Sequence, residues 1–172
     1  MQEQWQDVLG FLRYSVSDHG RVRNNDSGRI MAVHRNPHGT CYVGLAKGKK
    51  QLRRSLPLLV ATAFVPKMSG RVEFEKIIHL DGDQTNNRAT NLAWRPHWFV
   101  VCYQNQFKRG PVGSDVPVME VKTQELYPNT WEASLAFGLL EQHVIASATT
   151  GTWVFPTFSH FKYLAKNLPT RV

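Results

Sequence analysis

Apolar and polar positions alternate over short stretches through the first seventy residues, with small turn-forming residues between them. Residues 11–17 (FLRYSVS), 25–33 (NDSGRIMAV), 39–47 (GTCYVGLAK) and 47–55 (KGKKQLRRS) place β-branched or aromatic side chains between Gly, Asn and Asp. A period of two with that punctuation predicts short strands, and the first seventy residues are expected to form one small antiparallel sheet. The pattern then changes. Leu56 to Phe64 (LPLLVATAF) is a compact apolar run that predicts a helix, ended by Pro66. Residues 71–96 read as strand, turn-rich loop and strand, with Gly82 and the run Asp83 to Asn87 supplying turn chemistry. Pro96 can open a helix that residues 97–110 carry to Gly110. Residues 111–117 (PVGSDVP) are a linker by composition, residues 116–128 read as a hairpin, and residues 131–151 space their apolar positions for two short helices broken near Gly138. The fold class is α+β, with separate small units and no parallel sheet. Boundaries are expected at 1–54, 55–110 and 111–172.

Composition narrows the classes. A hydrophobic fraction of 42% in 172 residues is enough to bury a core. No apolar run approaches the length that crosses a bilayer, and MQEQWQDV lacks the basic-then-apolar layout of a signal peptide. Cys41 and Cys102 are too few for a disulfide scaffold and show no CxxC spacing; both are read as buried small hydrophobes. A soluble intracellular protein with no membrane partner is expected. Trp94, Trp98, Phe99 and Tyr103 are read as packing residues.

Charge adds the first functional pointer. Lys and Arg number 21 against 13 Asp and Glu, a net of +8. Residues 1–110 hold 17 basic and 8 acidic side chains, whereas residues 111–172 hold 4 and 5. A basic front suits a polyanion, because each phosphate neutralised by Lys or Arg releases counterions. In residues 47–55 five of nine side chains are cationic, alternating with apolar ones. Candidate phosphate-facing residues are Arg21, Arg23, Arg29, Arg35, Lys47, Lys49, Lys50, Arg53, Arg54, Arg95, Lys108 and Arg109. In the tail, Thr130, Gln142 and His143 fall where helix starts and exposed recognition positions would lie. Phosphate-tracking charge does not separate double-stranded DNA from RNA.

The segment IIHLDGDQTNNRATNLAW resembles the HNH homing endonucleases of phages. His79 ends a strand, and Asp81-Gly82, Asn86-Asn87, Asn91-Leu92 and Trp94 follow at that family's spacing. Upstream, Trp5, Val8, Gly10, Tyr14, Val16, Ser17, Gly20, Val22 and Arg23 match the small module that precedes many such nucleases. Downstream, residues 118–165 look like the helix-turn-helix repeat with which they extend DNA contacts. The resemblance implies a ββα finger in which His79 acts as general base on water and one divalent ion, Mg²⁺, stabilises the leaving oxygen. It also implies double-stranded DNA as partner and a phage-encoded protein in the cytoplasm of a bacterial host.

The chain departs from this family at the metal ligands. The residue before the histidine is normally Asp or Asn, and here it is Ile78; the helix ligand nine positions beyond the Asn-Leu pair falls on Val100. Neither has a lone pair to offer. His97, Asn105 and Asp81 are the nearby residues able to substitute. The expectation is a DNA-binding protein with a vestigial His79, no resident metal and no enzyme activity, which acts by binding or occluding a site. Two alternatives stand beside it: a Mg²⁺-dependent nicking endonuclease with displaced ligands, and a protein-interaction role that reuses the scaffold.

Overall fold

A computed structural model describes residues 2–67 and 75–164. The chain divides into two compact units, residues 1–100 and 101–172. Among the described residues no helix is long and apolar enough to cross a membrane.

The first unit contains two three-stranded antiparallel sheets where the sequence pattern predicts one. β1 (Trp5–Asp7), β2 (Tyr14–Ser17) and β3 (Val22–Asn24) form the first, with β2 central. β4 (Val33–Arg35), β5 (Cys41–Lys47) and β6 (Lys50–Ser55) form the second, with β5 central. The division comes after Asn24. Its side-chain Oδ1 accepts from the backbone of Asp26 at 2.9 Å and Ser27 at 3.1 Å, so the chain turns back and only Ile30 bridges to Arg23. β1 is also absent from the sequence expectation, because three residues are too few to show a period.

Alternation along β5 sets the inner face. Cys41, Val43 and Leu45 are buried, while Tyr42, Gly44 and Ala46 between them are only partly covered. Fully burying an aliphatic side chain such as Val43 or Leu45 contributes roughly 2 kcal/mol. Helix α1 (Leu56–Phe64) packs on β2, β5 and β6 through Leu56, Val60 and Ala61. Pro57 sits in its first turn, where no backbone donor is lost, and the helix stops ahead of Pro66. Trp94 ties down this end by donating its indole N–H to the Val65 carbonyl at 3.0 Å.

β7 (Lys76–His79) and β8 (Leu92–Arg95) form a two-stranded antiparallel sheet with His79 opposite Leu92. The expected start of the first of these strands, residues 71–74, lies outside the described residues. After Pro96 comes α2 (His97–Arg109), and the division between units falls inside it. Trp94, Phe99 and Tyr103 are buried as the sequence reading holds; Trp98 is 55% exposed. The correction is one of helical phase: Trp98 and Val101 point outward from a helix whose buried positions are Phe99, Tyr103 and Gln106. Cys102 is likewise exposed, and only Cys41 is a buried thiol.

The second unit builds a sheet from β9 (Val118–Glu120), β10 (Leu126–Tyr127) and β11 (Phe161–Tyr163), with β9 in the middle. α3 (Thr130–Phe137) and α4 (Glu141–Thr150) complete a core of Val118, Ala133, Leu139, Val144, Val154 and Phe161. The cap of α3 is Asn129, which accepts from the Glu132 amide at 2.9 Å; Thr130, read as a recognition position, is fully buried. Gly138 closes the helix in the left-handed conformation. β11 escapes prediction because its three residues pair with β9 alone.

Candidate functional site

β7 delivers His79 to the mouth of a loop that is held by its own side chains. Asp81 Oδ1 accepts from the Asn91 amide at 2.8 Å and from the Asp83 backbone at 2.8 Å, while Oδ2 takes the Asn86 amide at 2.7 Å. Asn91, buried, returns a bond by accepting from the Asp81 backbone at 3.1 Å and donates to the Asn86 carbonyl at 2.8 Å. Thr85 caps Asp83 with amide and hydroxyl, and these bonds hold the Asp83 carboxyl below its usual range. Short Asp and Asn side chains suit this work because they reach backbone groups two to ten residues away without disturbing the strands.

Asn87 connects the loop to the histidine. Its amide nitrogen donates to the Thr85 carbonyl at 3.1 Å, which turns Oδ1 toward His79 Nε2, 3.1 Å away. Nε2 therefore carries the proton, and Nδ1 is the basic nitrogen. Burial lowers the His79 pKa, against the bond to Asn87 and the charges of Asp81 and Asp83, which raise it. A neutral imidazole at pH 7 is the form a general base needs.

The β2–β3 turn presses on this loop from the N-terminal side. Gly20 has φ of +81°, and a Cβ there would lie 2.8 Å from the Asn87 carbonyl oxygen. The Ala89 amide donates to the Asp18 carbonyl at 2.7 Å. Only glycine fits both the backbone conformation and the close approach. The sequence marks this position as a turn, yet its contact with the residue that orients His79 is a product of the fold.

The two positions at which the resemblance places metal ligands hold side chains that do not fit a cation. Ile78 is 2% exposed and packs its hydrocarbon inward from β7; Val100, half-buried on α2, is also hydrocarbon. A hard divalent ion takes oxygen ligands, and neither side chain has one. Of the substitutes, Asp81 commits both oxygens to loop donors, while His97 at the start of α2 and Asn105 further along it are exposed. Among the described residues, one group has the geometry of a metal cluster: Glu3, Asp18 and His19, with ligand atoms within 4.8 Å of one another. Sequence separation hid it. Arg21 already pairs with Glu3, and its guanidinium supplies the positive charge there.

The basic residues fall on more than one face. Arg53 pairs across β5 with Gly44 and is exposed, with its guanidinium 5.2 Å from the Tyr42 ring centre. Arg54 points the other way and lies 5.0 Å from the Phe11 ring, where Lys47 also approaches at 5.6 Å. Arg23 lies over Trp5 at 4.5 Å, Arg35 donates to the Gly39 carbonyl at 3.3 Å, and Arg29 is exposed. Lys47 stands directly opposite Lys50, with Lys49 in the connecting turn. Like charges in that position oppose pairing. Ion pairs join Arg13 to Asp26 and Arg21 to Glu3, and none to a described carboxylate involves the cations of this hairpin.

Arg95, expected to face phosphate, is instead 5% exposed, donates to the Trp94 carbonyl at 2.8 Å and lies beside Phe99. It ends an inward-facing strand, which the sequence does not reveal. Lys108 and Arg109 are exposed in the last turn of α2, where cations also favour the helix dipole. Gln142 is exposed and His143 half-buried on α4; burial lowers the His143 pKa.

Two antiparallel strands that hand a histidine to a self-bonded Asp-Asn loop, followed by a helix, make a ββα finger. Residues 3–46 match the NUMOD4 motif. The chain is 31% identical over 125 residues to the DNA endonuclease I-HmuI of Bacillus phage SP01, covering 71% of this chain and 69% of that protein. It is 29% identical over 94 residues to an uncharacterised HNH endonuclease of Acanthamoeba polyphaga mimivirus, covering 55% of this chain and 27% of that much longer relative. The solved structure of DNA binding and cleavage by the HNH homing endonuclease I-HmuI covers 95% of this chain and 99% of its own at a TM-score of 0.53; at 24% identity that likeness is one of fold. The chain belongs to the HNH homing endonuclease family.

Proposed function

We propose that this protein binds double-stranded DNA through its basic N-terminal strands and acts by occupying a site, its nuclease centre having lost the metal. The carrying observation is a conjunction. Hydrocarbon fills both expected ligand positions, Ile78 and Val100, while Lys47, Lys49, Lys50 and Arg53 of the β5–β6 hairpin stand exposed with no ion pair among the described residues. Unpaired like charges destabilise a sheet in isolation, and an anion relieves that cost. In this reading residues 1–54 form the basic DNA-binding module, residues 55–110 the HNH finger, and residues 111–172 a helix-turn-helix repeat that adds contacts through Gln142 and His143. The relative I-HmuI is named a DNA endonuclease, and this supports DNA as the partner. A phage-encoded protein working in a bacterial cytoplasm is consistent with that relative's source.

A second reading has an observation of its own. His79 keeps a neutral, oriented imidazole, as a working base requires, so an active nicking enzyme with displaced ligands is the competing function. A nicking assay on supercoiled DNA with Mg²⁺ or Mn²⁺, run beside a gel-shift titration over salt, separates the two. Salt-dependent binding without nicking is the expected result. Metal-dependent nicking abolished by His79→Ala overturns it. Under the first reading, the paired substitutions Ile78→Asp and Val100→Asn create cleavage that neither wild type nor either single variant has.

A further inference from the structure

The outer face of the β4–β5–β6 sheet carries two adjoining hollows of about 490 and 330 Å³. His34, Gly44 and Gln51 line both, Tyr42 and Arg53 wall the larger and Arg29 the smaller. Among the described residues no carboxylate lines either one. Gly44 makes the floor: it lacks a side chain opposite Arg53, and the Gln51 amide lies over the position a Cβ would take. Tyr42 stacks on His34 with ring centres 5.5 Å apart and lies under the Arg53 guanidinium, so one aromatic pair steadies the cation while its donor fork stays unpaired among the described residues. The face thus presents an oriented Arg and an exposed Gln two residues apart on one strand. Those side chains have the donor and acceptor patterns that match base edges, guanine O6 and N7 for Arg and adenine N6 and N7 for Gln. Lys49 and Lys50 at the hairpin tip supply charge without such a fork.

We propose that β6 reads DNA sequence from the major groove, with Arg53 on a guanine and Gln51 on an adenine about two base steps away, while the hairpin lysines contact phosphate. The spacing follows from the strand. Residues i and i+2 on one face are about 6.8 Å apart, and successive bases along a strand about 3.4 Å. A major groove about 12 Å wide admits a two-stranded ribbon. This inference rests on the DNA-binding reading above and adds which residues choose the sequence.

The test is selection from a randomised duplex pool by the full chain, with Arg53→Lys, Arg53→Gln and Gln51→Ala alongside. All three substitutions are at exposed positions of β6. Wild type should recover a motif with guanine and adenine separated by one base. Arg53→Lys should lose about tenfold of the guanine preference while keeping the adenine and the salt dependence of binding to random DNA. Arg53→Gln should change the chosen base from guanine to adenine, and Gln51→Ala should flatten only the second position. Equal weakening on every sequence by Arg53→Lys would make Arg53 a phosphate contact and overturn the inference, as would a motif that all three variants leave unchanged. Failure of the wild type to bind any duplex removes the DNA-binding reading itself, an outcome distinct from binding without the motif.

Discussion

The two units use charge in opposite ways. Residues 1–100 hold 15 basic and 8 acidic side chains, and residues 101–172 hold 6 and 5, so the first unit carries +7 of the net +8. Among its described acids, Asp26 sits in an exposed turn and Asp81 and Asp83 in the finger loop, while Lys47, Lys49, Lys50 and Arg53 of its hairpin are exposed to solvent. In the second unit the important charges are buried. Glu141 is 3% exposed and accepts from the Val112 amide at 2.7 Å, the Gly113 amide at 3.0 Å and the Thr130 hydroxyl at 3.0 Å. Glu120 is 2% exposed; burial pushes its carboxyl up, but the amides of Thr123 and His160 outweigh that and leave it below its ordinary value. One unit leaves charge available for a partner, and the other spends carboxylates on fixing its own loops. A local excess of acid therefore says little until burial is known.

The largest effect is expected at Glu141, the buried carboxylate of the second unit. Glu141→Ala strands two backbone donors and a hydroxyl, and should cost about 3–5 kcal/mol in chemical denaturation. A loss under about 1 kcal/mol would mean that the carboxylate is not the anchor of residues 112–113. Next comes the turn that leans on the finger. Gly20→Ala combines a left-handed backbone with a clash against Asn87, and about 2 kcal/mol of destabilisation is expected. Histidine NMR should show the His79 ring released from Asn87 in this variant, and an unshifted His79 resonance would refute the coupling.

Affinity should follow the charge division. Lys49→Ala with Lys50→Ala is expected to weaken duplex binding about tenfold at low salt and to reduce the salt slope by about 2. Gln142→Ala should leave that slope unchanged. A larger slope change from the second unit would reverse the assignment.

The smallest effect is on pH. His79 and His143 both have folded pKa values below the ordinary 6.5, so below that pH the unfolded chain takes up protons that the folded chain resists. Bound protons are then more numerous in the unfolded state, and stability rises with pH through that window and is lost on acidification. Thermal melts between pH 7 and pH 5, compared with His79→Gln and His143→Gln, should assign one share of the slope to each unit. An unchanged slope in both variants would contradict burial as the cause.

Much of this molecule was legible in the residue order. The α1 helix follows from an apolar run bracketed by Pro57 and Pro66, because proline acts locally. The finger loop follows from Asp81, Asn86, Asn87 and Asn91, whose short side chains bond within ten residues. His79 and the hydrocarbon at positions 78 and 100 are properties of the sequence outright.

What tertiary structure decided is the direction in which each side chain points and what lies beside it. Arg95 and Thr130 became buried, while Trp98 and Cys102 became exposed, since the phase of a strand or helix against its neighbours is fixed by packing. β1 and β11 exist because a partner strand pairs with them, and three residues carry no period of their own. The meeting of Gly20 with Asn87 likewise joins segments that no spacing rule connects. Composition gave the charge and the ligand atoms; only the folded chain determined which of them face solvent, which face one another, and which carboxylates are already taken.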